Sequence, residues 1–230
     1  MLIPIQAVNV DPEKIAFQMC ESGEQVTFAQ LEERANQVAH LVSDLGILPG
    51  DHVAVLMNNC RELLELCFGL DRSGVYYTLI STRLTTDEMA YIIRDCGARL
   101  FVYSATLESV DRDFFSKLPN TLQCMSVGAF AEQRPHRDWV TECAKKPTSA
   151  IAQALQGSDM LYSSGTTGRP KGAMLTHVNI VHTLINYQQM MELSKDDRSV
   201  LAVPASHVTG ILALIMTAWQ AQSALVMMPE

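Results

Sequence analysis

The sequence predicts an α/β fold in which largely parallel sheets are flanked by helices. Segments typical of short buried strands alternate along the chain with segments that carry apolar residues at helical spacing. This alternation is typical of parallel sheets, because neighbouring parallel strands need a crossover connection that is usually a helix. The composition, with 48% hydrophobic and 18% charged residues, supplies enough apolar material for a sizeable core.

A β-hairpin and a helix are the first elements predicted along the chain. Residues 15–19 and 25–27 are typical of two short strands joined by a turn that contains glycine. Thr27 and Gln30 then match a capping box, in which each residue satisfies a backbone N–H group of the other. Apolar residues at helical spacing follow, so we expect a helix that ends at Gly46.

Strands and helices continue to alternate up to residue 103. Thr85 and Glu88 form a second capping box ahead of one of these helices. The predicted elements are a strand at 52–57, a helix at 61–73, a strand at 76–80, a capped helix ended by Gly97 and a strand at 100–103. Residues 117–156 show less regular patterning, and we predict a subdomain boundary near residues 145–157.

The last part of the chain is predicted to hold further buried strands and helices. Residues 160–162 resemble the end of a buried strand, and residues 173–175 a second buried strand. Thr176 is an N-cap candidate for a helix that runs to about residue 191. A buried helix at 208–219 and a buried strand at 224–228 complete the prediction.

The most informative segment is the loop Tyr-Ser-Ser-Gly-Thr-Thr-Gly-Arg-Pro-Lys-Gly at residues 162–172. Its hydroxyl and glycine residues leave the backbone free of bulk, so amide N–H and side-chain O–H groups can turn toward one anion. Its lysine adds a mobile positive charge suited to phosphate oxygens. We therefore predict a triphosphate-binding loop that uses Ser163, Ser164, Gly165, Thr166, Thr167, Gly168 and Lys171.

Two other interpretations of this loop are weaker. A Walker A loop is disfavoured, because Arg169 and Pro170 separate the glycines from Lys171. A flexible Gly/Ser/Thr linker would explain the small residues. However, apolar runs bracket the loop on both sides and an N-capped helix follows it, which is not typical of a linker.

The loop is similar to the signature of the adenylate-forming superfamily, Y-[ST]-S-G-[TS]-T-G-x-P-K-G, at all of its positions. Thr166 favours the acyl-CoA and aryl-CoA ligase branch over peptide-synthetase adenylation domains, where serine is usual at this position. Residues 23–59, 70–85 and 202–210 resemble other sequence blocks of the same family. The resemblance therefore covers nearly the whole chain, with the blocks in the family's order.

This resemblance implies that residues 1–230 form part of the large N-terminal AMP-binding domain, and that this domain is incomplete. It implies an AMP-forming ligase, in which a small-molecule carboxylic acid and ATP give an acyl-adenylate whose acyl group then passes to coenzyme A. ATP, Mg²⁺ and coenzyme A are the implied cofactors, with fatty acid metabolism as one setting. The protein ligands of the metal stay unknown.

His207 is the implied catalytic residue. In the family, the matching histidine borders the acyl carboxylate, where a ring N–H can orient an oxygen whose charge changes. Without the resemblance, a lone histidine between a strand and a helix is more often a structural cap or a half-buried core residue. Arg169 occupies the variable position of the motif, so we expect a solvated side chain.

Two departures from the family pattern affect the prediction. Pro204-Ala205-Ser206-His207 stands where many relatives have Pro-Leu-Phe-His, which removes an aromatic residue beside the carboxylate pocket and leaves the acid open. The later family motifs, including the Tyr-Gly-x-Thr-Glu block and the C-terminal lysine, are absent from these residues. We therefore expect the isolated chain to be inactive or nearly so. The alternative is a catalytically incompetent nucleotide-binding or interaction module derived from such an enzyme.

Charge and hydropathy restrict the partners and the location. The formal net charge of −8 and the scattered Lys and Arg residues argue against nucleic acid. The N-terminus lacks the basic leading segment of a signal peptide, so a cytoplasmic protein is expected. Residues 200–229 are uncharged and long enough to span a bilayer, as in a membrane-anchored scaffold. Their polar residues favour buried elements and no transmembrane segment. A homodimer is left open.

Cysteine and histidine patterns give no metal site. The six cysteines form no Cys-x-x-Cys pair, so we interpret them as reduced core residues rather than catalytic thiols. His177 and His182 are five residues apart and face different sides of a predicted helix, so we do not interpret them as metal ligands.

Overall fold

The computed structural model describes residues 11–128, 136–151, 157–163 and 169–229. Its strands are β1 (Ile15–Met19), β2 (Gln25–Thr27), β3 (His52–Leu56), β4 (Tyr76–Leu79), β5 (Ala98–Ser104), β6 (Gln123–Val127), β7 (Arg137–Asp138), β8 (Ser158–Ser163), β9 (Lys171–Met174), β10 (Arg198–Leu201) and β11 (Ala224–Met227). Its helices are α1 (Phe28–Asp44), α2 (Arg61–Asp71), α3 (Thr86–Asp95), α4 (Arg112–Ser116), α5 (Trp139–Ala144), α6 (His177–Met190), the π-helix Thr209–Met216 and α7 (Thr217–Gln220).

Two sheets organise the described part of the chain. The larger sheet has the strand order β7-β6-β5-β3-β4-β8-β9, and every neighbouring pair is parallel except β8 and β9. The smaller sheet has the order β10-β11-β1-β2, and only the hairpin of β1 and β2 is antiparallel. The prediction of largely parallel sheets flanked by helices is therefore confirmed. The predicted subdomain boundary near residues 145–157 stays a prediction.

Strand β3 shows how helices cover both faces of the larger sheet. Val53 and Val55 belong to one hydrophobic core, whereas Ala54 and Leu56 belong to a second core on the opposite face. Side chains along a strand alternate between the two faces, so a central parallel strand must be apolar at every position. The first core includes buried residues of α1 and α2, and the second includes those of α3 and α4.

The predicted helix starts are confirmed at the level of hydrogen bonds. In α1, the backbone N–H of Gln30 donates to Thr27 Oγ1 at 3.2 Å, and that of Thr27 donates to Gln30 Oε1 at 3.0 Å. Thr85 and Glu88 form the same reciprocal pair ahead of α3. Ahead of α6, Asn179 completes a capping box with Thr176. Polar side chains therefore fix where these helices begin.

Residues 117–156 contain more structure than their patterning predicts. Strand β6 pairs in parallel with β5, where Val102 lies opposite Met125, and β7 and α5 follow. The sequence Gln-Cys-Met-Ser-Val of β6 mixes polar and apolar residues, and β7 spans only two residues. Such short segments gain their order from pairing with a neighbouring strand, which local patterning does not reveal.

Strand β9 corrects one prediction. We expected residues 173–175 to be a buried strand, but all four residues of β9 are exposed, and Met174 is 54% exposed. Leu175, just after β9, is half-buried and packs against the first core. The strand lies at the edge of the larger sheet, where it pairs only with β8 among the described strands. The apolar residues of β9 are therefore solvent-exposed, and their hydrophobicity did not correctly predict burial.

The six cysteines are all free in the structure, but they are not all core residues. Cys67, Cys96 and Cys143 are buried, whereas Cys20 is exposed, so the core interpretation is wrong for Cys20. Burial raises the pKa of the Cys60 thiol to about 12. That thiol is therefore protonated near neutral pH, which opposes a nucleophilic role.

Residues 200–229 form several short elements. They include the end of β10, the π-helix, α7 and β11, and the indole of Trp219 packs edge-on against Phe68 at 4.9 Å between ring centroids. Throughout the described ranges, no helix combines the length and the apolar character that a membrane crossing requires.

A buried acid pair lies at the start of β8 and the end of α2. Asp159 is fully buried, Asp71 is nearly so, and neither carboxylate oxygen of Asp159 has a hydrogen-bond partner among the described residues. Burial raises the pKa of Asp71 to about 7, and burial together with the like charge of Asp71 raises the pKa of Asp159 well above its ordinary value. The folded state therefore favours the protonated acids.

Asp159→Asn is expected to reduce the loss of stability at high pH. A raised carboxyl pKa means that the folded chain binds more protons than the unfolded chain, so wild-type stability falls as pH rises above the ordinary Asp pKa. For Asp71, that fall extends from about pH 4 to about pH 7. Removing one ionisable group is expected to raise the free energy of unfolding at pH 8 by about 2 kcal/mol, with little change at pH 4. Urea unfolding at both pH values checks this, with exposed Asp196→Asn as the control. An equal effect at both pH values would contradict it.

Candidate functional site

The two ends of the predicted phosphate loop lie opposite each other. Strand β8 runs parallel to β4, so Ser163 stands at the carboxyl edge of the larger sheet. Strand β9 returns antiparallel, and Ser163 pairs directly with Lys171. Directly opposed residues project to the same face of a hairpin, and both residues are exposed. A hydroxyl and an ammonium group are thus presented together at the sheet edge where α/β folds commonly bind ligands.

The centre of the loop lies outside the described residues. This concerns five of the predicted site residues: Ser164, Gly165, Thr166, Thr167 and Gly168. The structure therefore brings together Ser163 and Lys171 of the predicted phosphate site. The role of all seven residues stays a prediction.

Gly172 is required by the packing of Tyr162. The two residues are opposite each other in the β8/β9 pair. A Cβ atom at position 172 would lie 2.2 Å from Met160 Cε and 2.8 Å from Tyr162 Cζ. The Met160 methyl could move, but the Tyr162 ring is rigid. The glycine of the motif therefore lets the tyrosine ring lie across the hairpin just before the loop.

Helix α3 holds both sides of the loop. The Tyr162 hydroxyl donates to Asp95 Oδ2 at 2.7 Å, and the Tyr91 hydroxyl donates to Asp95 Oδ1 at 3.1 Å. The Arg169 guanidinium lies over the Tyr91 ring, 5.8 Å from its centroid. Burial, followed by the hydrogen bond to Asp95, raises the pKa of Tyr162, so this hydroxyl stays a donor.

The sequence alone did not predict the contacts of Tyr162 and Arg169 with α3. Tyr91 and Asp95 are spaced i, i+4 on α3, which is the one local signal that could have suggested their pairing. Arg169 is exposed, as expected, but it also has an aromatic partner. The contact across 67 residues between Tyr162 and Asp95 depends on the folded sheet and is not visible in local patterns.

His207 lies just before the π-helix, whose N-cap residue is Val208, and its ring contacts the backbone of the first helical residue. Its backbone N–H donates to the carbonyl of Pro204 at 3.0 Å, and its ring Nδ1 accepts from the Thr209 N–H at 3.2 Å. The neutral ring must therefore carry its proton on Nε2, which leaves an N–H donor on the side of the ring away from Thr209. The side chain is exposed. The ring thus accepts a backbone hydrogen bond at Nδ1, and no described residue is a hydrogen-bond partner of Nε2.

The turn before His207 packs very closely against the π-helix. Ala205 is 1% exposed, and a Cβ atom at Gly210 would lie 2.2 Å from the carbonyl oxygen of Pro204 and 2.9 Å from Ala205 Cα. Only glycine permits this approach of backbone to backbone. Among the described residues, no hydrogen bond joins His207 to Ser163 or Lys171.

Comparison with known proteins supports a common origin with ligases. The family model described as "AMP-binding enzyme" matches residues 5–230. The crotonobetaine/carnitine–CoA ligase of Salmonella paratyphi B is 30% identical over 235 residues, which cover 98% of this chain and 45% of that protein. The chain thus spans less than half the length of this relative.

Solved structures agree with this similarity. ATP-bound MatB from Rhodopseudomonas palustris has a TM-score of 0.80 and 26% identity over 94% of this chain and 42% of its own. The anthranilate CoA ligase AuaEII in complex with anthranoyl-AMP has a TM-score of 0.85 and 25% identity, over 97% of this chain and 43% of its own.

Proposed function

Because the chain belongs to the AMP-binding enzyme family, we propose that it carries the triphosphate-binding part of an AMP-forming acyl-CoA or aryl-CoA ligase. The observation that supports this most directly is the pairing of Ser163 with Lys171 at the carboxyl edge of a parallel sheet. Between them lie five small hydroxyl and glycine residues, followed by Arg169 and Pro170. This arrangement suits an anion of high charge better than a neutral ligand.

In the proposed reaction, the carboxylate of an acid attacks the α-phosphorus of ATP and pyrophosphate leaves. The acyl group of the acyl-adenylate then passes to the thiol of coenzyme A. Ser163 and Lys171, together with Ser164, Gly165, Thr166, Thr167 and Gly168, would bind the β- and γ-phosphates. Their contribution is positioning and electrostatic stabilisation, since Lys171 offsets charge that builds on the leaving pyrophosphate.

His207 would act at the acyl end of the reaction. Its Nε2–H group can donate to a substrate, because the hydrogen bond from the Thr209 N–H uses Nδ1. A neutral imidazole donor can orient a carboxylate oxygen that loses charge as the mixed anhydride forms. We therefore assign His207 a catalytic role in acyl-adenylate formation.

The metal ion is expected to bind mainly through the nucleotide. Among the described residues, no group of three His, Cys, Asp or Glu side chains could hold a metal ion. Mg²⁺ commonly binds through phosphate oxygens, water and one or two carboxylates, so the exposed loop ends are compatible with a Mg²⁺–ATP complex. When bound, Mg²⁺ neutralises charge on the phosphates.

The acid itself is proposed only as a small-molecule carboxylic acid. The names of the relatives include carnitine and anthranilate, which differ in charge and in aromatic character. Ala205 and Ser206 are not aromatic, so this turn supplies no aromatic wall for the acid. A cytoplasmic location is proposed with this function.

Carboxylate-dependent release of pyrophosphate from ATP tests the proposal on this chain as it stands. We expect Mg²⁺–ATP to bind, as measured by calorimetry, without pyrophosphate release above background for short, long and aromatic acids. The reason is that the adenine, ribose and thiol sites are expected in sequence that these residues do not contain.

The experiment has three possible results. Pyrophosphate release that disappears in Lys171→Ala would mean a complete adenylation site and contradict the expected inactivity. Binding of Mg²⁺–ATP without release is the expected result, and it leaves the ligase portion and the incompetent module to be distinguished by activity of a longer protein. A folded chain that binds no Mg²⁺–ATP would overturn the phosphate-loop assignment.

A further inference from the structure

We propose that Asn59 is a positioning residue that holds the His207 turn in place. The relevance of this role to catalysis rests on the proposed function of His207. The structural claim rests only on hydrogen bonds within the described chain. Asn59 follows β3 at the carboxyl edge of the larger sheet, 148 residues before His207 in sequence.

The Asn59 amide joins three segments that are distant in sequence. Its Nδ2 donates to the carbonyls of Val203 and Met228, each at 3.1 Å. Its Oδ1 accepts from the backbone N–H of Ala205 at 2.9 Å. One side chain therefore connects the end of β3, the turn before the π-helix and the residue after β11.

Burial makes these three hydrogen bonds necessary. Asn59 is 7% exposed and Ala205 is 1% exposed. Water therefore has little access to replace the hydrogen bonds of the Asn59 amide. Both Nδ2 protons are used, and Oδ1 is used once. Only a primary amide offers two donors and an acceptor at this distance from the backbone, since a carboxylate lacks donors and a leucine lacks both.

Two hydrogen bonds involving the backbone of the turn connect Asn59 to His207. Ala205 is held by Asn59, and the adjacent carbonyl of Pro204 accepts from the His207 N–H at 3.0 Å. The same carbonyl lies against Gly210 of the π-helix. Displacement of the turn must therefore disturb the hydrogen bond from the Thr209 N–H to Nδ1, which orients the His207 ring.

The test compares amide exchange and ring nitrogen signals by NMR in the ligand-free chain. In Asn59→Ala, the Ala205 and Thr209 amides are expected to exchange about ten-fold faster than in wild type. The Nδ1 chemical shift of His207 is expected to lose its hydrogen-bonded value. Asn58→Ala is the matched control, because none of the three hydrogen bonds involves Asn58.

A merely structural role gives a different pattern. It would lower the thermal midpoint and speed exchange throughout the core, while the His207 Nδ1 signal of the folded protein stayed unchanged. That result would overturn the proposal. If Asn59→Ala does not fold, Asn59→Ser keeps a smaller polar group there and is expected to show the same local changes.

The outcome is independent of nucleotide binding. If the His207 signal changes in Asn59→Ala but wild type binds no Mg²⁺–ATP, the positioning role stands and the proposed function falls. If wild type binds Mg²⁺–ATP and the His207 signal stays unchanged in Asn59→Ala, the proposed function stands and the positioning role of Asn59 is overturned.

Discussion

Lys171→Ala is expected to weaken Mg²⁺–ATP binding to this chain by about ten- to a hundred-fold, because hydrogen bonds to charged groups contribute about 1.5–3 kcal/mol. Lys171 is exposed, and no ion pair among the described residues includes it. Removing this side chain therefore leaves no buried, oppositely charged group without its ion-pair partner. The thermal midpoint is expected to change by less than about 2 °C. Calorimetric titration with Mg²⁺–ATP, with thermal unfolding alongside, checks both parts.

Arg169→Ala is the matched control for that experiment. It removes the same charge two residues away, from a side chain that lies over the Tyr91 ring. We expect a loss in affinity of about two- to three-fold, from the reduced positive field and the lost contact with Tyr91 together. Equal losses in the two variants would mean that Lys171 acts only through net charge and does not contact the phosphates.

Gly210→Ala is expected to destabilise the chain by about 3 kcal/mol. The added Cβ would lie 2.2 Å from the Pro204 carbonyl oxygen, and both partners are backbone, so no flexible side chain can yield. The expected fall in thermal midpoint is about 6–12 °C. The sign is diagnostic, because glycine to alanine in an open helix interior normally stabilises by roughly 1 kcal/mol.

Ala213→Gly in the same π-helix provides the reverse control. Ala213 is partly buried, and its replacement is expected to cost about 1 kcal/mol through backbone entropy. A Gly210→Ala variant as stable as wild type would show that the turn and the helix can separate without cost. The close packing would then have no role in holding His207.

Several elements were predictable because their signals are local. Reciprocal capping pairs such as Thr27 with Gln30 mark helix starts within four residues of chain, and the structure confirms them. The phosphate loop stays a prediction, which rests on residue types whose hydroxyl, amide and ammonium groups suit an anion. The position of its ends opposite each other, as Ser163 and Lys171, was not predicted, since it depends on β8 and β9 pairing as a hairpin.

What the sequence did not reveal depends on distant partners. Strand β6 is ordered by β5, and the exposure of β9 follows from its place at the sheet edge. Asp95 and Asn59 have unremarkable local surroundings, and their roles appear only when Tyr162 and Ala205 come into reach. Hydrogen bonds over such separations leave no periodic trace in one sequence.

The parallel pairing of β1 with β11 has a consequence for biosynthesis. Phe17 lies opposite Leu225, a separation of 208 residues. At translation rates of roughly 5–20 residues per second, the partner strand emerges about 10–40 s after β1. An isolated two-stranded hairpin is marginally stable in water, so β1 and β2 must wait on the ribosome with an open edge. The smaller sheet therefore cannot complete its parallel pairing until β11 has been synthesised, whereas every strand of the larger sheet precedes residue 175.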